Sequence, residues 1–142
     1  MMRPKLPDPH RPVDLWPPLA WAYLGDVVYD WYIRWHVLCD ANLRPKQLHQ
    51  RTTKYVSAAA QSISLAAILS ELTEKEKEIV QRGRNAKSNH TAKNASIFEY
   101  TQATGFEALL GYLYGHGQED RLMALMARAK DAIDLNEVGK AP

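Results

Sequence analysis

Residues 19–38 read LAWAYLGDVVYDWYIRWHVL, and their apolar side chains recur at every third or fourth position. This period is typical of an α-helix with at least one buried face. Asp26 interrupts the pattern in its middle, and Asp30 follows one turn later. Because an ionised carboxylate is costly to remove from water unless a cation compensates its charge, the segment predicts either an ion pair or a binding site.

Helical signals continue through the rest of the chain. Residues 44–72 keep a largely helical period after Pro45, which suits a first helical turn. Thr73 and Glu76 have the spacing of a capping box, which marks the start of another helix. Two further helices are predicted over about 96–115 and 118–134.

The stretch QRGRNAKSNHTAKNA at 81–95 has no apolar period and predicts a loop. Alternating strand patterns of useful length are absent from the sequence. We therefore predict an all-α fold with a single domain over 15–135. A poorly ordered, proline-rich segment is expected at 1–14, and a C-terminal tail at 136–142.

Composition excludes several classes of protein. The chain is 46% apolar and 24% charged with a formal charge of +2, which describes an ordinary globular protein rather than a disordered or strongly basic one. The single cysteine, Cys39, excludes an intrachain disulfide and a cysteine zinc cluster. The N-terminus lacks the apolar run of a secretory signal, and residues 19–38 carry too many charges for a membrane span. These features favour a cytoplasmic location.

Two carboxylates stand on otherwise apolar helical faces. Asp26 lies in the first helix, and Glu107 lies in the segment GFEALLGYLY. Asp30 has Arg34 four residues later and is explained by an ion pair, whereas Asp26 and Glu107 have no such local partner. Mg²⁺ binds through one or two carboxylates, several waters and substrate phosphates. From the residues alone, a metal site and a pair of ordinary buried ion pairs both remain open.

Basic residues gather in the predicted loop. Between Ile79 and Phe98 there is no acid, and the positive charges are Arg82, Arg84, Lys87 and Lys93. A loop of this charge suits binding to a phosphate backbone, although an ordinary solvated loop has the same composition. Lys54 adds a second basic position on the preceding helix.

Two motifs resemble one family. YLGDVVYDWYIR resembles the signature helix of the ribonuclease III catalytic domain, and ATGFEALLGYLY resembles the second acidic helix of that domain. The order and separation of the two motifs agree with the family, and the nearest resemblance is to its Mini-III branch, which lacks an appended RNA-binding domain. The likeness extends from about Leu15 to Ile133.

The resemblance implies a function. It implies a ribonuclease III-like helical endonuclease that cleaves double-stranded RNA with Mg²⁺ held by Asp26 and Glu107, leaving 5′-phosphomonoesters. The implied substrate is the precursor of large-subunit (23S) ribosomal RNA, with a ribosomal protein or the pre-ribosome as a further partner. Full-length ribonuclease III has acids where this chain has Ala22 and Thr104, so the number of metal ions is left open.

The resemblance also implies a homodimer that forms through the signature helix. Tyr23, Val27 and Trp31 agree with this expectation, because they offer more apolar surface than the core of a small domain needs. Two other functions remain open at this point. One is a non-catalytic RNA-binding or ribosome-assembly module of the same fold, and the other is a helical protein-interaction domain in which Asp26 belongs to an ion pair.

Overall fold

The computed structural model describes residues 6–40, 44–86 and 96–140, and every regular secondary-structure element within these ranges is a helix. The predicted all-α fold is confirmed. The six α-helices, in chain order, are α1 (Pro18–Asp40), α2 (Pro45–Val56), α3 (Ala58–Ile68), α4 (Glu74–Asn85), α5 (Ile97–Gly115) and α6 (Glu119–Lys140). Within the described ranges, none of these helices combines the length and apolar character that a membrane span requires.

Side-chain caps fix several helix ends. The hydroxyl of Thr73 accepts from the backbone N–H of Glu76, whose carboxylate in turn accepts from the N–H of Thr73, so the predicted capping box at the start of α4 is confirmed. Ser96 and Glu99 form the same reciprocal pair at the start of α5. After α5, Gly117 has a φ of 71°, a conformation that favours glycine and turns the chain into α6.

Helix α5 is the centre of the bundle. It contacts α1, α3, α4 and α6, and most of its middle residues are buried. Phe106, Leu109 and Leu110 are fully inaccessible to solvent. A helix that is apolar on nearly all faces can only be stable when other helices surround it, so the other elements are arranged around α5.

The prediction of a loop over 81–95 was wrong for its first residues, because α4 continues to Asn85. Arg82 and Arg84 therefore lie in the last turn of a helix rather than in a loop. Gly83 explains the error, since its local sequence signals a loop while its packing requires a helix. A Cβ atom at Gly83 would lie 2.7 Å from the Cβ of Ala108 and 2.9 Å from the Cα of Gly105. The glycine thus permits close contact between α4 and α5.

Three boundaries also differ from the prediction. The segment 44–72 contains two helices, because Ser57 adopts an extended conformation and its side chain caps α3 through the N–H of Ala60. Helix α6 continues beyond residue 134 to Lys140. Before α1, a short 3₁₀ turn (Val13–Leu15) packs onto the domain, with Val13 buried and its carbonyl accepting from Nε1 of Trp21 at 2.8 Å.

Candidate active site

An open groove lies where α1, the start of α3 and α5 meet. Its volume is about 390 Å³. Asp26 of α1 and Glu107 of α5 line the groove together with Gln61 of α3. Ala22 and Thr104 also line it, so the two positions at which full-length ribonuclease III carries further acids lie at this site as well. The structure therefore brings together the two carboxylates that the sequence indicated from segments about eighty residues apart.

Two glycines hold the backbones of α1 and α5 in contact. A Cβ atom at Gly25 would lie 1.7 Å from the carbonyl oxygen of Glu107, and one at Gly111 would lie 1.8 Å from the carbonyl oxygen of Trp21. No side chain can fit at either position without separating the helices. Gly25 directly precedes Asp26, and Gly111 lies one turn after Glu107. The glycines of both motifs therefore fix the spacing between the helices that carry the two acids.

Asp26 and Glu107 face each other without a cation. Among the residues that the structure describes, neither carboxylate forms an ion pair with a lysine, arginine or histidine. Burial, as the larger cause, and the negative charge of Asp26 together raise the pKa of Glu107 from 4.5 to about 8. Asp26 itself is exposed. This electrostatic setting disfavours two ionised carboxylates unless a positive charge binds between them.

Gln61 is the residue of the site that sequence reasoning missed. Its side chain is only 2% exposed, and its Nε2 donates to Oε2 of Glu107 at 3.2 Å and to the carbonyl of Val56 at 3.0 Å. The hydrogen bond to Glu107 opposes the rise in the pKa of that carboxyl. The available signal in the sequence was a glutamine within the alanine-rich stretch SAAAQS. Such a position favours an apolar residue, and a polar one there needs a partner.

The donor set of the groove fits a hard divalent cation. Two carboxylates from facing helices, with open space beside them, match the way Mg²⁺ binds, since this ion keeps several waters and takes further oxygens from substrate phosphates. In the described part of the chain, no third histidine, cysteine or acid joins Asp26 and Glu107. If such a cation binds, these residues would offer it two carboxylate ligands, and water or substrate would provide the others.

The predicted RNA-binding residues are spread over two regions. The guanidinium of Arg82 lies 4.8 Å from the ring centre of Trp21. Arg84 packs against Gly105 of α5, and its guanidinium lies 3.2 and 3.3 Å from the side-chain amide of Gln102, which accepts from Arg84 when the amide oxygen is turned towards it. Lys54 lies near the end of α2 and forms an ion pair with Glu137 at 3.2 Å. Lys87 and Lys93 lie outside the described residues.

One face of α1 remains exposed beside the groove. Tyr23, Val27 and Trp31 are 82%, 62% and 43% exposed. Leu19 and Tyr23 line the groove as well, so the exposed apolar face is continuous with the site. The apolar stripe extends along α1 with Trp35 and Leu38, both also exposed.

Comparison with known proteins agrees with this geometry. The ribonuclease III domain family matches residues 19–118. Mini-ribonuclease 3 of Brevibacillus brevis is 44% identical over 119 residues, covering 84% of this chain and 89% of that protein. Mini-ribonuclease 3 of Streptococcus pneumoniae is 48% identical over 111 residues, covering 77% and 87%. A crystal structure of a protein from Fusobacterium nucleatum superposes with a TM-score of 0.76 at 25% identity, covering 82% of this chain and 95% of that one.

The matched region contains both acidic motifs, the glycines that bring their helices together and the groove between them. The identities exceed 40% over most of the chain, and the structural similarity extends over the same bundle. The chain therefore belongs to the ribonuclease III domain family, resembles its Mini-ribonuclease 3 branch over most of its length, and is an endoribonuclease.

Proposed function

We propose that this protein is a Mg²⁺-dependent endoribonuclease that cleaves double-stranded RNA as a homodimer. Its proposed substrate is the precursor of large-subunit (23S) ribosomal RNA, whose ends it trims. The observation that supports the catalytic part is the Asp26–Glu107 pair, two carboxylates in one open groove that form no ion pair with any described basic residue. The ribosomal substrate is inferred from the resemblance to Mini-III enzymes. A ribosomal protein or the pre-ribosome is the corresponding additional partner.

The residues have separate roles in the proposed hydrolysis. Asp26 and Glu107 hold the cation at the groove, and the rigid contact of α1 with α5 fixes the distance between the two carboxylates. When bound, Mg²⁺ supplies Lewis-acid stabilisation of phosphate oxygens and lowers the pKa of a coordinated water. The scissile phosphate enters from the open side of the groove. Water attacks phosphorus as the P–O3′ bond breaks, and the 3′-oxygen takes up a proton and leaves as a hydroxyl. The products therefore carry 5′-phosphates.

RNA binding is assigned to the basic residues. A-form RNA is recognised mainly by its shape, its phosphates and its 2′-hydroxyls. Arg82, Arg84, Lys87 and Lys93 provide positive charge at and after the end of α4, and Lys54 provides it on α2. Arg84 and Lys54 have intramolecular partners that leave further N–H groups available, because a guanidinium has five N–H donors and an ammonium three.

The exposed face of α1 supports the homodimer. In a two-fold dimer the same patch of each subunit packs against its copy, so one apolar stripe is sufficient for the whole interface. Because this stripe is continuous with the groove, dimerisation through α1 sets two grooves at a fixed separation. Each subunit would then cleave one strand of the duplex.

The dimer can be tested by sedimentation. We expect wild type to sediment as a dimer at micromolar concentration and Trp31→Glu to sediment as a monomer with unchanged helical circular dichroism. Leu135→Glu on α6 is the matched control, since Leu135 is 71% exposed and belongs to a helix other than α1. A dimeric Trp31→Glu, or a monomeric wild type, would contradict this interface.

The catalytic proposal requires a cleavage assay. Purified protein is incubated with a blunt RNA duplex, with each separated strand, and with a duplex that carries the mature 23S termini. Each reaction contains either Mg²⁺ or EDTA. We expect cleavage only of duplexes, only with Mg²⁺, and products that a 5′-phosphate-dependent exonuclease degrades. Duplex binding without cleavage would instead support a non-catalytic RNA-binding module.

A further inference from the structure

Gln61 uses its hydrogen-bonding groups unevenly. Both N–H groups of its amide have partners, with Nε2 donating to the carbonyl of Val56 at 3.0 Å and to Oε2 of Glu107 at 3.2 Å. The acceptor, Oε1, is fully buried and has no hydrogen-bond partner within the described residues. The side chain as a whole is only 2% exposed. A buried amide normally satisfies its acceptor as well as its donors.

Packing alone does not explain this arrangement. Gln61 lies in the first turn and a half of α3, next to the break at Ser57 between α2 and α3. A methionine or leucine would fill the same space without leaving a buried acceptor unpaired. The amide is needed only where its N–H groups point, towards the end of α2 and towards Glu107. One contact anchors the amide to the backbone, and the other fixes one oxygen of the carboxylate.

We propose that Gln61 is a positioning residue, which holds Oε2 of Glu107 and thereby leaves Oε1 directed at Asp26 and a bound divalent cation. The inference rests on the proposed metal-dependent function. Glu107 lies on α5, Asp26 on α1 and Gln61 on α3, so the hydrogen bond links α3 to the helix that carries Glu107. Groups that orient a metal ligand typically change metal affinity by about 10- to 100-fold when they are removed.

Gln61→Met tests this role, because it keeps the length of the side chain and removes the amide. Ser64→Ala is the matched control, since Ser64 lies on the same helix, is fully buried and donates to the carbonyl of Ala129 at 2.8 Å, away from the groove. Direct binding of Mn²⁺ without RNA is measured by electron paramagnetic resonance. Cleavage of saturating duplex RNA is measured against Mg²⁺ concentration.

We expect Gln61→Met to weaken Mn²⁺ binding by about 10- to 100-fold and to raise the Mg²⁺ concentration for half-maximal cleavage by a similar factor. Cleavage should recover at high Mg²⁺, whereas Ser64→Ala should show wild-type metal dependence. Wild-type Mn²⁺ affinity in Gln61→Met would overturn the inference. A cleavage defect that Mg²⁺ does not relieve would also overturn it. Gln61→Leu provides the same test if the methionine variant does not fold.

A parallel titration of Glu107→Gln separates this inference from the function on which it rests. If wild type neither binds Mn²⁺ nor cleaves duplex RNA, the proposed function fails and the inference fails with it. If wild type binds Mn²⁺, Glu107→Gln loses that binding and Gln61→Met retains it, only the role of Gln61 is wrong.

Discussion

Two glutamates at helix–helix contacts illustrate opposite uses of a carboxylate. Glu76 of α4 is 5% exposed and accepts from Nε and Nη2 of Arg121 at 2.9 and 2.8 Å. The hydrogen bond from Arg121 is the main cause that lowers the pKa of Glu76. Glu107 of α5 faces Asp26 with no basic side chain paired to it in the described part of the chain, and its pKa is raised to about 8. The chain therefore compensates the charge of one acid with an arginine and leaves that of the other available to a ligand.

On physical grounds, this difference separates a structural acid from the one that we propose to be functional. A carboxylate that is paired with an arginine stabilises the fold, and removing it leaves the arginine without its ion-pair partner. An unpaired carboxylate near a second one is destabilising in the absence of a ligand, and such strain is common at functional sites. The comparison makes opposite predictions for the two glutamates, for activity and for stability.

The largest effect is expected on catalysis. Asp26→Asn and Glu107→Gln each remove one of the two proposed metal ligands, and we expect single-turnover cleavage of duplex RNA to fall by at least about 10³-fold, equivalent to about 4 kcal/mol. Glu76→Gln should cleave within a few-fold of wild type at a temperature where it remains folded. A Glu107→Gln variant that cleaves at the wild-type rate would show that Glu107 is not required for cleavage.

The second effect is on stability and has the opposite order. Glu76→Gln leaves the Arg121 guanidinium facing an amide, and we expect the free energy of unfolding to fall by about 1.5–3 kcal/mol at pH 7, since Glu76 is buried while the Arg121 side chain is 32% exposed and keeps part of its hydration. Glu107→Gln in EDTA should be as stable as wild type or more so. Urea denaturation followed by circular dichroism measures both. A stabilised Glu76→Gln would show that Arg121 does not depend on this carboxylate.

The third effect is a pH dependence of opposite sign for the two acids. The pKa of Glu107 is raised in the folded state, so the stability of metal-free wild type falls relative to Glu107→Gln as pH rises from about 4.5 to about 8. We expect a difference of roughly 1–3 kcal/mol at pH 8.5 and little at pH 4.5, allowing for partial access of solvent to Glu107. For Glu76, whose pKa is lowered, the contribution is present above pH 4.5 and is lost in acid.

Denaturation of each variant and of wild type in EDTA across pH 4–9 gives these differences without interference from other titrating groups. Adding Mg²⁺ should abolish the fall for wild type and leave Glu107→Gln unchanged, because a bound cation favours the ionised carboxylate. Parallel stability curves for wild type and Glu107→Gln over this range would contradict the raised pKa.

The sequence indicated one side of this comparison and not the other. Asp26 and Glu107 were recognisable because each interrupts an apolar helical face and lies in a motif that resembles ribonuclease III. Glu76 was recognised only as the partner of Thr73 in a capping box, since its contact with Arg121 joins residues 45 positions apart. Long-range pairs of this kind depend on how helices pack, and a local pattern does not contain that information.

Packing also explains the other differences. The polar run around Gly83 indicated a loop, but the helix continues because α5 offers Gly105 and Ala108 as a flat surface against which a glycine can pack. Gln61 was missed because its role appears only when α3 lies beside α5. In contrast, the helices at the two ends of the chain and the all-α class were predicted from periodicity and capping residues alone, which are local properties.

The smallest effect concerns a third acid, which sharpens the comparison within a single helix. Asp30 lies one turn after Asp26 on α1 and forms an ion pair with Arg34 at 2.9 Å. The Asp30 side chain is 35% exposed. An exposed pair at this spacing contributes about 0.3–0.5 kcal/mol, so Asp30→Asn should change the free energy of unfolding by no more than that amount. Its cleavage rate and Mg²⁺ dependence should stay close to those of wild type, because Asp30 is paired with Arg34 and does not line the groove. Asp26→Asn and Asp30→Asn remove the same charge from the same helix, so their total effect on the electrostatic field around the RNA is similar. A large loss in Asp26→Asn with none in Asp30→Asn therefore assigns the effect to ligand binding at the groove, and equal losses would assign it to the charge of α1.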